Sequence, residues 1–390
     1  MKKIEIPHNI NNEKIKKIII EKAKYFHEEI IDYYWSQNLL IIWLSSDTSL
    51  QKINFLENDI KKYILDNKNI ERFLKDNSDI PEESILLQEQ YRDDILSELK
   101  KLFSSIRLGQ FIKNNSYNGV MMYGQDALLL RNGLNKILTD LSKKYFNSIC
   151  FSTPNLLHKD IAEKSGYFNV GAQHMYFVNE IIKTTKNFSR YEQFLKGKKY
   201  QNNINQFLQS SPFVLNPAVC LHIYPYLENT NFTDDETYNS FDLIGNAYRD
   251  EGGNINNSSR FSEFCVHEIV FFGNDTVLNE IFPLVLNFMI SFLDSLSILD
   301  SAIYSNDIFF GSQDKEQIIN QAIKRSKIEA ISHKNISLAS INFHSNKFTK
   351  AFNITKNDQK ICSMCLAFGI DRIINTLIES NFHIFNSDTQ

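Results

Sequence analysis

The stretch that decides the fold is 247–273, AYRDEGGNINNSSRFSEFCVHEIVFFG, in which two strand-like segments flank a polar break. The break, 252–259, holds two glycines, three asparagines and two serines, and this composition favours a hairpin loop. Side chains alternate between the two faces of a strand, so Arg249 and Glu251 point the same way. The stretch therefore predicts two antiparallel strands joined by a loop.

The returning strand places Arg260, Phe264 and Glu268 four residues apart, so these side chains also share one face. That face combines two arginines, two carboxylates and an aromatic ring, which suits neither a core nor an ordinary surface. Paired arginines can hold a polyphosphate through charge-assisted bonds of roughly 1.5–3 kcal/mol each, and Phe264 can stack on a purine. The pattern leaves a surface salt-bridge ladder equally open.

Residues 362–378, CSMCLAFGIDRIINTLI, predict a strand that runs into a helix. From Ile370 onward, apolar residues recur at i, i+3, i+4, i+7 and i+8, the spacing of an amphipathic helix. Arg372 lies about 200° around the helix from Ile370 and projects away from the apolar stripe. We expect Gly369 to let the strand turn tightly into this helix. A cation at this position suits a terminal phosphate.

Charge and composition exclude several classes of protein. The chain of 390 residues carries a net charge of −4, and its first hundred residues hold 15 Lys and Arg against 19 Asp and Glu. We therefore expect no phosphate-binding arm there. No apolar leader is visible, and Asn287 and Asp294 interrupt the apolar stretch 281–299, so we expect a buried core helix and a cytoplasmic protein without a membrane partner. Five cysteines in a chain of this size argue against a disulfide framework, and any cysteine that takes part in function would do so as a thiolate.

Periodicity predicts an α+β protein with two parts. Residues 1–104 form a mainly helical N-terminal extension, with helices near 12–24, 49–66 and 84–106 and a buried strand at 38–44. Residues 105–390 form an antiparallel sheet flanked by helices. In this second part we expect a long helix from 277, a basic helix over 314–328 and a strand over 336–343.

The ordered pattern Arg-x-Glu, loop, Arg-x-x-x-Phe-x-x-x-Glu, then Gly-x-x-Arg opening a helix resembles motifs 2 and 3 of the class II aminoacyl-tRNA synthetases. The resemblance, which covers about 105–378, implies that family's fold and an ATP site. Arg249 and Arg372 would be catalytic, and Glu251, Arg260 and Phe264 would also bind ATP. Glu329 would help to hold Mg²⁺, although a solvated charge at a helix end is an equal alternative. The segment 151–178 resembles motif 1, which implies a homodimer.

The cysteines narrow the resemblance to one subgroup. Cys220, Glu268 and Cys365 are similar to the zinc site of atypical, archaeal-type seryl-tRNA synthetases and of the shorter amino acid:[carrier protein] ligases. Three protein ligands leave one tetrahedral position for the α-amino group of the substrate. Glu268 and Asn342 would line the amino-acid pocket. Any single cysteine can instead be a small buried hydrophobe. Cys362 forms a lone CxxC with Cys365 but should face the opposite side of the strand.

The two kinds of enzyme that the chain resembles differ in the molecule that receives the activated amino acid. A basic helix carrying Lys315, Lys324 and Arg325 lies where the ligases bind their carrier, so the resemblance implies an acidic phosphopantetheine carrier protein. The acidic first hundred residues argue against tRNA, and the zinc-bound amine of the family implies a small amino acid. That helix can equally be an ordinary solvated face. The alternatives are a seryl-tRNA synthetase-like enzyme that charges tRNA and a non-catalytic regulatory paralogue. The segment 123–134, YGQDALLLRNGL, departs from the ligase pattern with Gln125 where arginine is expected.

Overall fold

The computed structural model describes residues 1–8, 16, 19, 30–36, 38–68, 89–106, 119–196, 204–250, 260–305 and 326–380. Its helices and strands are, in chain order, β1 (Lys2–Pro7), β2 (Ile30–Ser36), β3 (Leu39–Leu44), α1 (Leu50–Lys68), α2 (Glu89–Ser104), α3 (Gln125–Phe146), β4 (Ile149–Ser152), β5 (Leu156–His158), α4 (Lys159–Lys164), α5 (Tyr167–Val170), β6 (Phe177–Ile181), α6 (Thr185–Lys196), β7 (Leu208–Leu215), α7 (Ile223–Tyr226), β8 (Asn231–Phe232), β9 (Asn239–Tyr248), β10 (Glu263–Gly273), α8 (Asp275–Ser295), β11 (Ser301–Tyr304), β12 (Lys327–Ile331), β13 (Ser337–Ser345), α9 (Lys347–Ala351), β14 (Thr355–Lys356), β15 (Gln359–Lys360), β16 (Cys362–Gly369) and α10 (Ile370–Glu379).

The N-terminal region contains a three-stranded antiparallel sheet in the order β1-β3-β2, and α1 packs on it. The predicted strand at 38–44 and the predicted helix at 49–66 are confirmed as β3 and α1. Strands β1 and β2 were not predicted, because β1 has only two inward apolar residues, Ile4 and Ile6. Apart from Lys16 and Ile19, the predicted helix over 12–24 lies outside the described residues.

A seven-stranded sheet in the order β11-β12-β13-β16-β10-β9-β4 forms the centre of the larger part. All its neighbouring strands are antiparallel except β4, which pairs with β9 in parallel at one edge. The predicted antiparallel pairing is confirmed, since β9 and β10 pair from Glu263 opposite Tyr248 to Phe272 opposite Asn239. The strands are shorter than predicted, because β9 ends at Tyr248 and β10 begins at Glu263, so Arg249 and Arg260 lie outside them. The strand-to-helix unit at 362–378 is confirmed as β16 and α10.

Alternate residues of β10 and β16 point into two different apolar cores. Cys265, Ile269 and Phe271 enter a core shared with α2, α3, α8 and α10, and we call this side the helical face. Phe264 and Val270 pack with Cys365 into a second core, beneath α7 and α9, and we call this side the site face. Helix α2 thus packs with the central sheet, while the domain boundary at residue 104 stays a prediction.

Helix α8 is long and apolar enough to cross a membrane by length and composition alone, a test that core helices also pass. It begins at the Asn274 cap, whose side chain accepts a hydrogen bond of 2.8 Å from the Val277 amide. Its buried residues, among them Val285, Phe288 and Phe292, pack in the helical-face core. The predicted buried core helix is therefore confirmed.

Two expectations about local structure were wrong. The basic helix was predicted to extend to 328, but strand β12 begins at Lys327, so Glu329 lies in a strand and not at a helix end. Gly369 has φ −80° and ψ 86°, and a Cβ atom there would meet only ordinary contacts, at 3.5 Å from the Leu338 oxygen. The turn into α10 therefore does not depend on the conformational freedom of glycine.

Candidate functional site

Three predicted ATP-site residues meet on the site face. The Phe264 ring lies 5.5 Å from the guanidinium carbon of Arg249 and 6.0 Å from that of Arg372. Such cation–π contacts contribute about 0.5–1 kcal/mol each at exposed sites. Two segments that are far apart in the sequence therefore place two cations around one aromatic ring. We call these three side chains the arginine clamp.

Backbone carbonyls help to orient both arginines of the clamp. Arg249 lies one residue beyond β9, and its Nε donates a hydrogen bond of 2.8 Å to the Pro217 oxygen. Arg372 lies in the first turn of α10, and its Nη1 donates a hydrogen bond of 3.1 Å to the Ser337 oxygen. Both groups are only partly buried, and a planar guanidinium can bind an anionic ligand through charge-assisted hydrogen bonds.

Cys220, Glu268 and Cys365 also come together on the site face. Cys220 comes from the short 3₁₀ segment Val219–His222, and its amide donates a hydrogen bond of 2.9 Å to Glu268 Oε2. The two thiols and the Glu268 carboxyl group lie close enough to influence one another's acidity. All three side chains are buried, with exposed fractions of 7%, 4% and 2%. We call this set the thiol–carboxyl cluster.

Burial governs the acidity of the thiol–carboxyl cluster. Desolvation raises the pKa of Glu268, although hydrogen bonds from the two cysteines oppose this shift. The pKa of Cys365 is raised well above its usual value, first by its hydrogen bond with Cys220 and then by burial. The pKa of Cys220 is lowered by the bond to Cys365 but raised overall, because burial and the Glu268 charge outweigh that bond. The cluster therefore favours its protonated forms when no cation is bound.

Polar residues of β13 border the thiol–carboxyl cluster. Asn342 Nδ2 lies 3.1 Å from Ser340 Oγ and 3.9 Å from Cys365 Sγ. His344 Nε2 lies 3.6 Å from the same sulfur, while its Nδ1 lies 3.0 Å from the Tyr224 hydroxyl. Tyr224, which is fully buried, was not predicted as a site residue, because its hydroxyl group is the only feature that distinguishes it within an apolar segment.

Of the remaining predicted residues, only Glu329 and Arg260 are described. Glu329 pairs with Lys327 at 3.1 Å and accepts a 2.7 Å hydrogen bond from Ser305 Oγ. Arg260 is partly buried and precedes β10. Outside the described residues lie Glu251, Lys315, Lys324 and Arg325. The ligand roles of all these residues stay predictions.

Cys362 faces away from the thiol–carboxyl cluster, as the strand period predicts. It packs against the helical-face core, whereas Cys365 lies in the site-face core. Within the part of the chain that the structure describes, no group of three or more His, Cys, Asp or Glu residues is arranged to hold a metal ion.

Sequence comparison finds serine–tRNA ligases. A type-2 serine–tRNA ligase of Methanococcus maripaludis is 23% identical over 231 residues, which are 56% of this chain and 45% of that protein. The type-2 enzyme of Methanococcus aeolicus is 22% identical over 293 residues, 71% of this chain and 56% of that protein. The chain thus spans about half the length of the curated relatives it matches. No family model matches it.

Structure comparison finds the same class of protein. A seryl-tRNA synthetase of M. kandleri, solved in complex with A. aeolicus tRNASec, has a TM-score of 0.57 at 15% identity. The match covers 96% of this chain and 73% of the synthetase chain. A cytoplasmic serine–tRNA ligase of Naegleria fowleri, solved with AMP, has a TM-score of 0.50 at 13% identity. The match covers 85% of this chain and 76% of the ligase chain. The chain therefore has the class II aminoacyl-tRNA synthetase fold and is homologous to the type-2 serine–tRNA ligases.

Proposed function

We propose that this protein activates an amino acid with ATP and forms an aminoacyl-adenylate. The observation that carries this proposal is the arginine clamp, in which Arg249 and Arg372 flank the Phe264 ring. An adenine ring would stack on Phe264, and the triphosphate would meet donors on both sides. Glu329, with Glu251, would hold Mg²⁺ against the phosphates.

The protein's own groups would act on the developing charge. Attack of the amino acid carboxylate on the α-phosphorus builds negative charge on the phosphate oxygens, and Arg249 would stabilise that charge. Arg372 would bind the γ-phosphate and keep the pyrophosphate in line as it leaves. The thiol–carboxyl cluster is buried next to these groups, so an amino acid bound at the cluster would lie close to the reacting phosphate.

We also propose that Cys220, Glu268 and Cys365 hold Zn²⁺. The donor types fit, because two thiols and a carboxyl group are buried beside one another, and their protons would leave when the metal binds. The described side chains are not yet arranged as a metal site, so metal binding would draw them together. Bound zinc would supply a Lewis-acidic position for a neutral α-amino group. Asn342 and His344 would border that group, because both lie beside Cys365 Sγ.

For the acceptor, the alternative prediction is now preferred: we propose serine as the amino acid and tRNA as its acceptor. The curated relatives are serine–tRNA ligases, and a synthetase solved with tRNA matches 96% of this chain. The sequence predicted a carrier protein and no tRNA, but the comparisons do not support a carrier, and the basic helix on which that prediction depended lies outside the described residues. A homodimer and a cytoplasmic location stay predictions.

Pyrophosphate exchange tests the activation step. With labelled pyrophosphate and a panel of amino acids, we expect ATP formation that depends on serine or another small amino acid. Absence of exchange with every amino acid would support the non-catalytic paralogue. A second assay then offers the adenylate to a tRNASer transcript and to a phosphopantetheinylated carrier protein. Esterified tRNA is expected, whereas thioester on the carrier alone would restore the carrier-protein reading.

Elemental analysis tests the metal site. The purified protein should contain about one zinc per chain, and Cys365→Ala should lose it. Cys362→Ala is the matched control, because this cysteine lies on the same strand but faces the other core. Equal zinc content in the two variants would contradict the proposed site.

A further inference from the structure

A second polar group lies on the helical face, behind the arginine clamp. It consists of Tyr123, Arg131 and Asp371. Asp371 is 4% exposed, and its Oδ1 lies 3.9 Å from Arg131 Nε. The Arg131 guanidinium lies 5.6 Å from the centre of the Tyr123 ring, and the Tyr123 phenol lies beside the Asp371 carboxyl group. None of these side chains belongs to the site face.

Each contact of this group reaches a segment that carries a clamp residue. Arg131 Nη2 donates a hydrogen bond of 2.7 Å to Asn246 Oδ1, three residues before Arg249. Asp371 Oδ2 accepts a hydrogen bond of 2.7 Å from the Cys265 amide, next to Phe264. Asp371 itself directly precedes Arg372 in the first turn of α10.

A further link reaches the other side of Phe264. Asn246 Nδ2 donates a hydrogen bond of 3.0 Å to Glu263 Oε1, so both chain neighbours of Phe264 are tied to this group. The alternation of β10 places these neighbours on the helical face and Phe264 on the site face. The three segments of the clamp are thus joined from behind by side chains of α3, β9 and α10.

We propose that Arg131 and Asp371 are positioning residues that set the spacing of Arg249, Phe264 and Arg372. They touch no ligand and act through the backbone of β9, β10 and α10. Binding groups must be held to within about 0.5 Å to act together, and a buried ion pair bonded to all three segments supplies that constraint. This inference rests on the proposed function for the identity of the ligand, ATP.

The first test measures KM for ATP and for the amino acid in pyrophosphate exchange. Arg131→Met should raise KM for ATP by about 10- to 100-fold, because small misplacements of binding groups cost that much. The KM for the amino acid should change much less, and Arg131→Lys should restore part of the ATP affinity. Ser142→Ala is the matched control, since Ser142 also joins α3 to β9, through a 3.0 Å bond to Asp242. It should lower stability without changing KM for ATP.

A second measurement needs no nucleotide. The guanidinium carbons of Arg249 and Arg372 lie 5.5 and 6.0 Å from the centre of the Phe264 ring, so the NMR signals of these guanidinium groups should carry its ring-current shift. These shifts should move toward random-coil values in Arg131→Met and stay in place in Ser142→Ala. Asn246→Ala keeps the Arg131–Asp371 ion pair and removes the two side-chain links of Asn246, to Arg131 and to Glu263, and it serves if Arg131→Met does not fold.

The outcomes separate the two proposals. Unchanged shifts together with an unchanged KM for ATP in Arg131→Met and Asn246→Ala would overturn the positioning role. If the wild-type protein shows no exchange, the proposed function fails, and the ring-current shifts alone decide the positioning role. Equal losses of ATP affinity in Arg131→Met and Ser142→Ala would also overturn it, because general loosening of α3 would then explain both.

Discussion

The two faces of β9, β10 and β16 use the same strands for different purposes. The site face presents partly exposed arginines around Phe264 and a buried thiol–carboxyl cluster. The helical face is an apolar core, yet it also contains the buried Asp242–His267 contact and the Arg131–Asp371 ion pair. Polar groups on the site face have the geometry to meet a ligand, whereas those on the helical face meet only other parts of the chain. Burial of polar groups alone therefore does not mark the site, and the two faces should respond differently to substitution.

The largest expected effect is on stability and concerns the helical face. His267 Nε2 lies 2.6 Å from Asp242 Oδ1, and neither side chain is exposed. His267→Leu leaves the Asp242 carboxyl group buried without this partner, which should cost about 3–5 kcal/mol in urea unfolding. KM for ATP should not change in the folded protein. The double variant Asp242→Leu/His267→Leu should recover much of the loss, and a single-variant loss below about 1 kcal/mol would contradict the prediction.

The next effect is on activity and concerns the site face. Arg372→Ala removes one cation of the clamp and should lower pyrophosphate exchange by about 10²- to 10³-fold. Its effect on unfolding should be small, because the side chain is only partly buried. Arg372→Lys, which keeps the charge but loses the planar fork, should recover only part of the rate. A rate close to that of the wild-type protein in Arg372→Ala would remove this residue from the proposed mechanism.

Neighbouring residues of β10 give the most direct comparison of the two faces. Phe264→Ala should raise KM for ATP in pyrophosphate exchange by an amount equivalent to about 1–3 kcal/mol of stacking, with little loss of stability. Cys265→Ala removes a buried sulfur from the other face, so it should lower the free energy of unfolding and leave KM for ATP nearly unchanged. The KM values and urea midpoints of both variants test this. Parallel changes in the two variants would mean that the faces are not independent.

The sequence predicted the faces because strand alternation is a local property. A period of two separates Cys362 from Cys365 and joins Phe264 to Glu268, whatever the rest of the chain does. The order of the motifs then pointed to the arginine clamp. The distances within the clamp were not predictable, because they depend on the register of β10 against β16 and on the position of α10.

The helical-face pairs could not be predicted for a related reason. Asp242 and His267 lie on different strands, and Ser142 reaches Asp242 from a helix a hundred residues away in the sequence. Local periodicity contains no information about such contacts. It also misassigned residues 327–328 to a helix, because the basic run that precedes them continues into the start of β12.

The smallest expected effect is a pH dependence of the unfolding free energy, and it comes from Asp371 on the helical face. Burial raises the pKa of Asp371 above its usual 3.8, and the Arg131 charge and the Tyr123 phenol oppose this shift, while the Glu263 charge adds to it. The folded state therefore binds the Asp371 proton more tightly than the unfolded chain. Stability from this proton is fully present below the unfolded pKa and is lost as pH rises through the folded pKa.

Asp371→Asn cannot titrate and isolates this dependence. The unfolding free energy of the wild-type protein minus that of Asp371→Asn should fall as the pH rises from acid toward neutral. The fall is about 1.36 kcal/mol for each unit by which burial raises the pKa. Urea unfolding at a series of pH values measures it. A difference that grows with pH would show instead that Arg131 outweighs burial, and the ion pair behind the clamp would then be a net source of stability at neutral pH.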